Sequence, residues 1–90
     1  MKYFKYQPGD LVSMKNENEN FQNIGRITEA IITFDGRSYN FWEKIPKIKN
    51  GYYEVEYSIN PVRKKDYGKF KTAWWEENEI LELLDRPIIK

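Results

Sequence analysis

The sequence predicts an all-β domain of five or six short strands, and three features favour that fold class. Between Tyr52 and Ile59 the odd-numbered positions are Tyr, Val, Tyr and Ile, whereas the even-numbered positions are Tyr, Glu, Glu and Ser. Such alternation is typical of a strand with one buried face. Asp35 and Gly36 form a strong hairpin signal. Seven Tyr, five Phe and three Trp can fill a small core.

Length and composition narrow the range of functions. The chain has 90 residues, so we treat residues 1–90 as one domain with a core over about 6–84. Because it contains no cysteine and no histidine, disulfides, thiolate metal sites and Ser-His-Asp triads are excluded, and we expect no cofactor. No apolar run approaches the length of a membrane span, and the N-terminus lacks a signal-peptide core. We therefore expect no membrane partner and a cytoplasmic location.

The first strand is predicted over residues 11–14. Pro8 and Gly9 favour a chain reversal before it, because proline presets φ and glycine permits the turn. The polar segment 15–20 is interpreted as a solvated loop, since it lacks the Asp spacing and terminal Glu of a calcium-binding EF-hand. Phe21 is expected to anchor the far end of this loop.

The second strand, over residues 25–34, is predicted to be the longest. Its apolar positions change face around residues 30–32, which indicates a bulge or bend. After the hairpin signal at 35–36, a return strand is expected over 37–43. Residues 44–50 form a lysine-rich connection in which proline disfavours a helix.

The second half of the chain starts with the central strand, residues 51–59, which Pro61 ends. A strand is expected over 69–75, followed by one 3-10 turn over 76–79. Residues 80–84 are interpreted as a short last strand. The alternative is a helix over 76–84. The predicted core positions, with Leu11 and Val12 as alternatives, are Leu11, Val12, Ile27, Tyr53, Val55, Tyr57 and Leu81.

This order of elements resembles the SH3-like small β-barrel. The resemblance is carried by residues 6–12, 25–27, 51–57 and 75–81, which read Tyr-Gln-Pro-Gly-Asp-Leu-Val, Gly-Arg-Ile, Gly-Tyr-Tyr-Glu-Val-Glu-Tyr and Trp-Glu-Glu-Asn-Glu-Ile-Leu. It implies a single five- to six-stranded barrel with an inserted hairpin. Similar barrels occur in KOW, Tudor-like and chromo-like modules, in type II dihydrofolate reductases and in small phage proteins. Where those reductases carry a Val-Gln-Ile-Tyr pore segment, residues 70–73 are Phe-Lys-Thr-Ala, which disfavours reductase activity.

Aromatic residues exceed what one face of a thin barrel can bury. Adjacent pairs such as Tyr52 with Tyr53 and Trp74 with Trp75 point to opposite faces of a strand. We therefore predict a partner-binding surface on the inserted hairpin and the strands beside it, with two lysines at its rim. The alternative is that the hairpin folds over the barrel and buries its aromatics as a second small core. The predicted surface comprises Tyr39, Phe41, Trp42, Tyr52, Trp74, Lys47 and Lys64.

Basic residues crowd two loops and the strand that follows them. Such a positive edge with neighbouring aromatics would suit nucleic-acid backbones and stacked bases. The net charge of +1 and the usual solvation of loop lysines argue against that use. The residues of this alternative nucleic-acid surface are Lys44, Lys47, Lys49, Arg63, Lys64, Lys65, Lys69 and Lys71.

The sequence gives little reason to expect an enzyme, because the chain contains no nucleophile elbow, no phosphate-binding glycine loop and no set of transition-metal ligands. We interpret the chain as a non-catalytic protein-binding module. Its size and composition resemble phage-encoded regulators or inhibitors of bacterial proteins, which places it in the cytoplasm of a bacterium or infected host. The alternative is a nucleic-acid-binding module of the KOW or Tudor type. A homodimer is a further candidate assembly.

Overall fold

The computed structural model describes residues 3–15, 23–49, 51–63 and 74–88. Within these residues, six strands form one antiparallel sheet and a single 3-10 turn precedes the last strand, so the predicted all-β class and its 3-10 turn are confirmed. None of the described segments forms a helix with the length and apolarity needed to cross a bilayer. The elements are β1 (Leu11–Met14), β2 (Asn23–Phe34), β3 (Arg37–Asn40), β4 (Glu54–Pro61), β5 (Trp74–Glu76), the 3-10 turn (Glu77–Glu79) and β6 (Ile80–Asp85).

The strand order explains how so few residues enclose a core. The sheet runs β5-β4-β2-β1-β6, and β3 pairs with β2 beside this path. Its two outermost strands, β5 and β6, are consecutive in the chain and are joined only by the three-residue 3-10 turn. The sheet therefore has to curve until its two ends approach each other, which is the arrangement expected of a small barrel.

Strand β2 organises the sheet because it pairs along both of its edges. One edge pairs first with β1 and then with β3, while the other pairs with β4. The register against β4 shifts between Ile27 and Glu29, so Thr28 is an extra residue in the strand. This bulge lets Ile27 and Ala30 both face the core although they are three residues apart. The predicted bulge is confirmed, but it lies closer to the start of the strand than residues 30–32.

The turns follow local sequence chemistry. Asp35 and Gly36 have φ values of 50° and 73°, the left-handed pair that a tight β-hairpin requires. Gly9 has a φ of 96° directly after Pro8, and Asp10 N donates to the Gln7 carbonyl at 3.1 Å. Both predicted reversals are therefore confirmed.

Strand β3 ends earlier than residue 43, where the return strand was predicted to end. The Asn40 Oδ1 atom accepts hydrogen bonds from the backbone N–H groups of Trp42 at 2.9 Å and Glu43 at 3.1 Å. Glu43 Oε1 in turn accepts one from Asn40 N at 3.0 Å. An asparagine side chain bonded in this way competes with the strand ladder and turns the chain.

The core confirms four of the predicted positions and corrects two. Val12, Ile27, Val55 and Tyr57 are buried, and Val12 rather than Leu11 is the fully buried member of its pair. The other buried hydrophobic residues in the described part of the chain are Phe4, Tyr6, Met14, Ala30, Ile32, Phe34, Ile59 and Ile80.

Tyr53 and Leu81 were predicted core positions, and both predictions are wrong. Tyr53 is 42% exposed because β4 begins only at Glu54, so the alternation of the central strand does not extend back to it. Leu81 is 50% exposed because Ile80, its neighbour, is the residue that pairs with Met14 and enters the core.

The C-terminal segment is strand and not helix, so the alternative of a helix over residues 76–84 is wrong. The 3-10 turn is capped by Glu79, whose Oε1 accepts a hydrogen bond from Glu76 N at 2.9 Å. The following residues pair with β1 along its free edge. Predictions for residues 16–22 and 64–73, including the loop to Phe21 and most of the strand over 69–75, lie outside the described residues.

Candidate partner-binding surface

The aromatic residues of the predicted surface divide into two groups. Tyr39 stacks on Phe34 with ring centroids 5.3 Å apart, and Phe41 contacts Phe4 at 5.2 Å. Both are partly buried and pack against the core. The positions of these two residues agree with the alternative prediction, in which the hairpin packs against the core and buries its aromatic residues.

The other three predicted aromatics lie on the surface. Trp42 is 70% exposed, Tyr52 is 80% exposed and Trp74 is 42% exposed. Exposed aromatic side chains are candidates for an interaction site where they form one contiguous apolar patch.

Trp42 borders a groove on the surface. The groove has a volume of about 300 Å³. It lies where β2 bulges, between the turn before β1 and the turn after β3. We call it the Trp42 groove, and its lining residues are Pro8, Thr28, Glu29, Ala30, Asn40, Phe41 and Trp42.

The backbone holds Trp42 in place although its side chain is exposed. Its N–H is bound by Asn40 Oδ1, and Phe41 N donates to the Ala30 carbonyl at 2.9 Å, which attaches the turn to β2. The rings of Phe41 and Trp42 are 4.9 Å apart and nearly perpendicular, at 84°. The indole is therefore supported by a ring that itself packs on the core.

Trp74 lies on the outer face of the sheet, in the same cross-strand row as the groove. Ser58 pairs with Glu29 on one side and with Trp74 on the other. Neighbouring strands are about 4.8 Å apart, so the Cα atoms of Glu29 and Trp74 are about 10 Å apart. A partner covering this row would reach both the groove and Trp74.

Tyr52 lies elsewhere on the molecule. It precedes the start of β4 at Glu54, which pairs with Thr33 near the hairpin end of β2. Trp74 pairs with Ser58, four residues further along β4, and four residues of strand span about 13 Å. The structure thus brings Trp74 near the groove and places Tyr52 toward the other end of the strand.

Among the described residues of β4 and β5, the charged side chains on the face that carries Trp74 are acidic. Glu56 on β4 and Glu76 on β5 are directly opposite each other, and both lie on the face that carries Trp74. Like charges in this position repel each other across an antiparallel pair. A cationic group of a partner would relieve that repulsion.

The basic residues predicted for the alternative surface are only partly described. Lys44, Lys47 and Lys49 are exposed in the loop after β3, and Arg63 is half-buried beyond the end of β4. The remaining four lie outside the described residues: Lys64, Lys65, Lys69 and Lys71.

Two polar contacts join side chains that do not line the groove. The hydroxyl of Tyr57 donates to Glu77 Oε2 at 2.5 Å and accepts from Tyr6 N at 3.2 Å. Burial, reinforced by the hydrogen bond to Glu77, raises the pKa of Tyr57 well above its ordinary value. This contact joins β4, the N-terminal segment and the 3-10 turn.

The second polar contact joins the two ends of the described chain. The fully buried Asp10 carboxylate accepts hydrogen bonds from Arg86 Nε at 2.9 Å and Arg86 Nη2 at 2.8 Å. The pKa of Arg86 is raised, mainly by this hydrogen bonding to Asp10. Both groups of the pair satisfy each other, so the contact is structural.

Sequence reasoning missed a row of exposed leucines on β6. Leu81, Leu83 and Leu84 are each more than a third exposed, on a strand whose described pairing is with β1 alone. The signal was present, because residues 80–84 contain four apolar residues and do not alternate. A strand with apolar residues on both faces has to expose one of them when only one side is covered.

Comparison of the chain with protein-family models, with curated proteins and with solved structures gave no match. Functional conclusions therefore rest on the surface described above.

Proposed function

We propose that this protein is a non-catalytic protein-binding module whose interface contains the Trp42 groove and Trp74. The observation that carries the proposal is the 70% exposure of a tryptophan whose backbone is fixed on both sides by hydrogen bonds. A rigid exposed indole loses little conformational entropy on binding, and tryptophan is among the residues most enriched at interface hot spots.

The surroundings of Trp42 match the anatomy of an interface. Its neighbours in the chain, Asn40, Glu43 and Lys44, are polar and exposed, and the groove beside it is partly apolar. Apolar anchors with a polar rim are typical of protein-binding surfaces. Lys47 is exposed five residues after Trp42, and its predicted place at the rim belongs to this proposal.

The charge of the neighbouring face favours protein over nucleic acid as the partner. Glu29, Glu56 and Glu76 all lie on or beside the row that leads to Trp74. A phosphate backbone would be repelled by these carboxylates, whereas a protein can present basic side chains to them. A small phage-encoded regulator or inhibitor of a bacterial protein, acting in a reducing cytoplasm, fits this size and composition.

The test compares wild-type protein with Trp42→Ala. The partner is first captured from bacterial lysate on wild-type protein and identified, and binding of the purified partner is then measured by calorimetry. We expect Trp42→Ala to weaken binding by about 2 kcal/mol or more, because it removes the central anchor. We expect its melting temperature to stay near that of the wild type, because the side chain is mostly exposed. Tyr52→Ala, which removes an aromatic far from the groove, is the matched control.

Two results would contradict the proposal. If Trp42→Ala binds the captured partner as tightly as the wild type does, the interface lies elsewhere. If Trp42→Ala lowers the free energy of unfolding by about 3–5 kcal/mol, the indole is part of the core. The nucleic-acid alternative is examined separately by fluorescence anisotropy with short RNA and DNA at two salt concentrations. Micromolar binding with a steep salt dependence would support that alternative.

A further inference from the structure

Among the described residues that line the Trp42 groove, one side chain is charged. Glu29 is exposed, and within the described residues its carboxylate makes no ion pair and accepts no hydrogen bond. The bulge at Thr28 places it there, because an extra residue in a strand changes the direction in which the next side chains point. The groove thus has a negative group that the rest of the described chain leaves unneutralised.

The two other polar side chains among the described lining residues each make hydrogen bonds within the protein. The Thr28 hydroxyl donates to the Ser58 carbonyl at 3.1 Å. The side-chain Oδ1 atom of Asn40 accepts from the backbone N–H groups of Trp42 and Glu43. Among the described residues that line the groove, Glu29 supplies the charged acceptor, and its charge favours a cationic ligand.

Trp42 also lines the groove and supplies an aromatic ring. Trp42 is the residue type that binds cations most strongly over its ring face, and its indole is held by the perpendicular contact with Phe41. A planar cation can stack on an indole while donating hydrogen bonds to a carboxylate beside it. The guanidinium group of arginine has this shape and this fork of donors, whereas the ammonium group of lysine does not.

We propose that the Trp42 groove binds an arginine side chain of the protein partner, stacked on Trp42 and paired with Glu29. This inference rests on the protein-binding function proposed above and adds the chemical class that the groove recognises. A volume of about 300 Å³ is at the small end of ligand pockets and suits one long side chain rather than a folded peptide.

The test uses short blocked peptides that differ at one position. Acetyl-Gly-Arg-Gly-amide is compared with the lysine peptide and with the citrulline peptide, which keeps the shape of arginine but carries no charge. Binding is followed by the backbone amide signals of Glu29 and Ala30 and the indole N–H signal of Trp42 in nitrogen-15 correlation spectra. We expect saturable shifts of these signals with the arginine peptide, weaker binding of the lysine peptide and little binding of the citrulline peptide.

Two variants examine the two contacts. Glu29→Gln should weaken binding of the arginine peptide about fivefold, the effect of an exposed ion pair. Trp42→Ala should weaken it by about two- to thirtyfold, the range of cation–π contacts. Glu54→Gln is the matched control, because it removes an exposed carboxylate from β4, outside the groove, and should leave binding unchanged.

The outcomes separate this inference from the proposed function. Equal binding of the arginine and citrulline peptides, or no saturable shift, would overturn the arginine site even if the captured partner still depends on Trp42. Binding of the arginine peptide that depends on Glu29, without any partner that depends on Trp42, would support the site and overturn the proposed function. Self-association in sedimentation experiments that Glu29→Gln abolishes would identify a second copy of the chain as the occupant, which overturns the assignment to a different partner.

Discussion

Replacing Arg86 with glutamine should separate the two ends of the described chain. Arg86 follows the last strand, and its guanidinium makes two hydrogen bonds to Asp10, a carboxylate with no exposed surface in the turn before β1. Asp10 also accepts from Gln7 N at 3.0 Å, so it stabilises the turn that precedes β1. Removing the guanidinium leaves this buried charge without its cationic partner.

The size of the effect follows from the exposure of the two groups. Hydrogen bonds to charged groups contribute about 1.5–3 kcal/mol each when buried. The side chain of Arg86 is 42% exposed, so water can replace part of what it provides. We therefore expect Arg86→Gln to lower the free energy of unfolding by about 2 kcal/mol in total. For a domain of this size that loss corresponds to a melting temperature lower by about 8–16 °C.

The measurement is a double-mutant cycle in urea denaturation with Arg86→Gln, Asp10→Asn and the double variant. Asparagine keeps a carbonyl oxygen that can accept from Gln7 N, so the cycle isolates the charged pair. Arg37→Gln is the matched control, because Arg37 is exposed on β3 and should change stability by less than about 0.5 kcal/mol.

The reasoning would be refuted by a coupling energy below about 0.5 kcal/mol between Asp10 and Arg86. In that case the pair behaves as an ordinary surface ion pair, and the burial of Asp10 is compensated in another way.

Three further changes test the core. Val55→Asp should unfold the domain, because it places an unpaired charge on the buried face of β4; a circular dichroism melt with the wild-type midpoint would contradict this. Gly25→Ala should lower the free energy of unfolding by about 1–3 kcal/mol in urea denaturation, because the added Cβ would lie 2.5 Å from Ile59 Cγ2. Tyr57→Phe should lower it by about 1–2 kcal/mol at neutral pH, since Glu77 loses a donor. Because the pKa of Tyr57 is raised in the folded protein, the unfolded chain loses the tyrosine proton above about pH 10 while the folded chain keeps it. The free energy of unfolding of the wild type should therefore fall as the pH rises above this value. It should fall less steeply in Tyr57→Phe, which lacks this hydroxyl.

Local patterns in the sequence were sufficient for the elements whose conformation depends on near neighbours. The bounds of β1 agree with the expected residues 11–14, and the hairpin at Asp35 and Gly36 has the left-handed φ values that this pair favours. The capped 3-10 turn also follows from residues that are adjacent in the chain. Turn chemistry and strand alternation act over two to four residues, so a linear reading captures them.

Burial at the ends of strands was decided by the tertiary structure. Tyr53 continues the alternation of β4, yet it lies outside because the pairing with β2 starts at Glu54. Residues 80–84 have apolar side chains on both faces, and only the register with β1 selects Ile80 for the core and leaves Leu81 outside. An alternating sequence predicts that one face of a strand is buried. The pairing with neighbouring strands determines at which residue the burial begins and which face of the strand is buried.

In the candidate site, too, some features could be predicted from the sequence and others depend on the tertiary structure. The sequence identified Trp42 and Trp74 as aromatics in excess of the core, because composition and alternation are visible without a fold. It did not indicate that Glu29 and Pro8 share a groove with Trp42, or that Asp10 pairs with Arg86, 76 positions away in the chain. Such contacts arise only when β2 pairs with partners on both edges and brings distant turns together. Their energies depend on distance and burial, which a linear sequence does not contain.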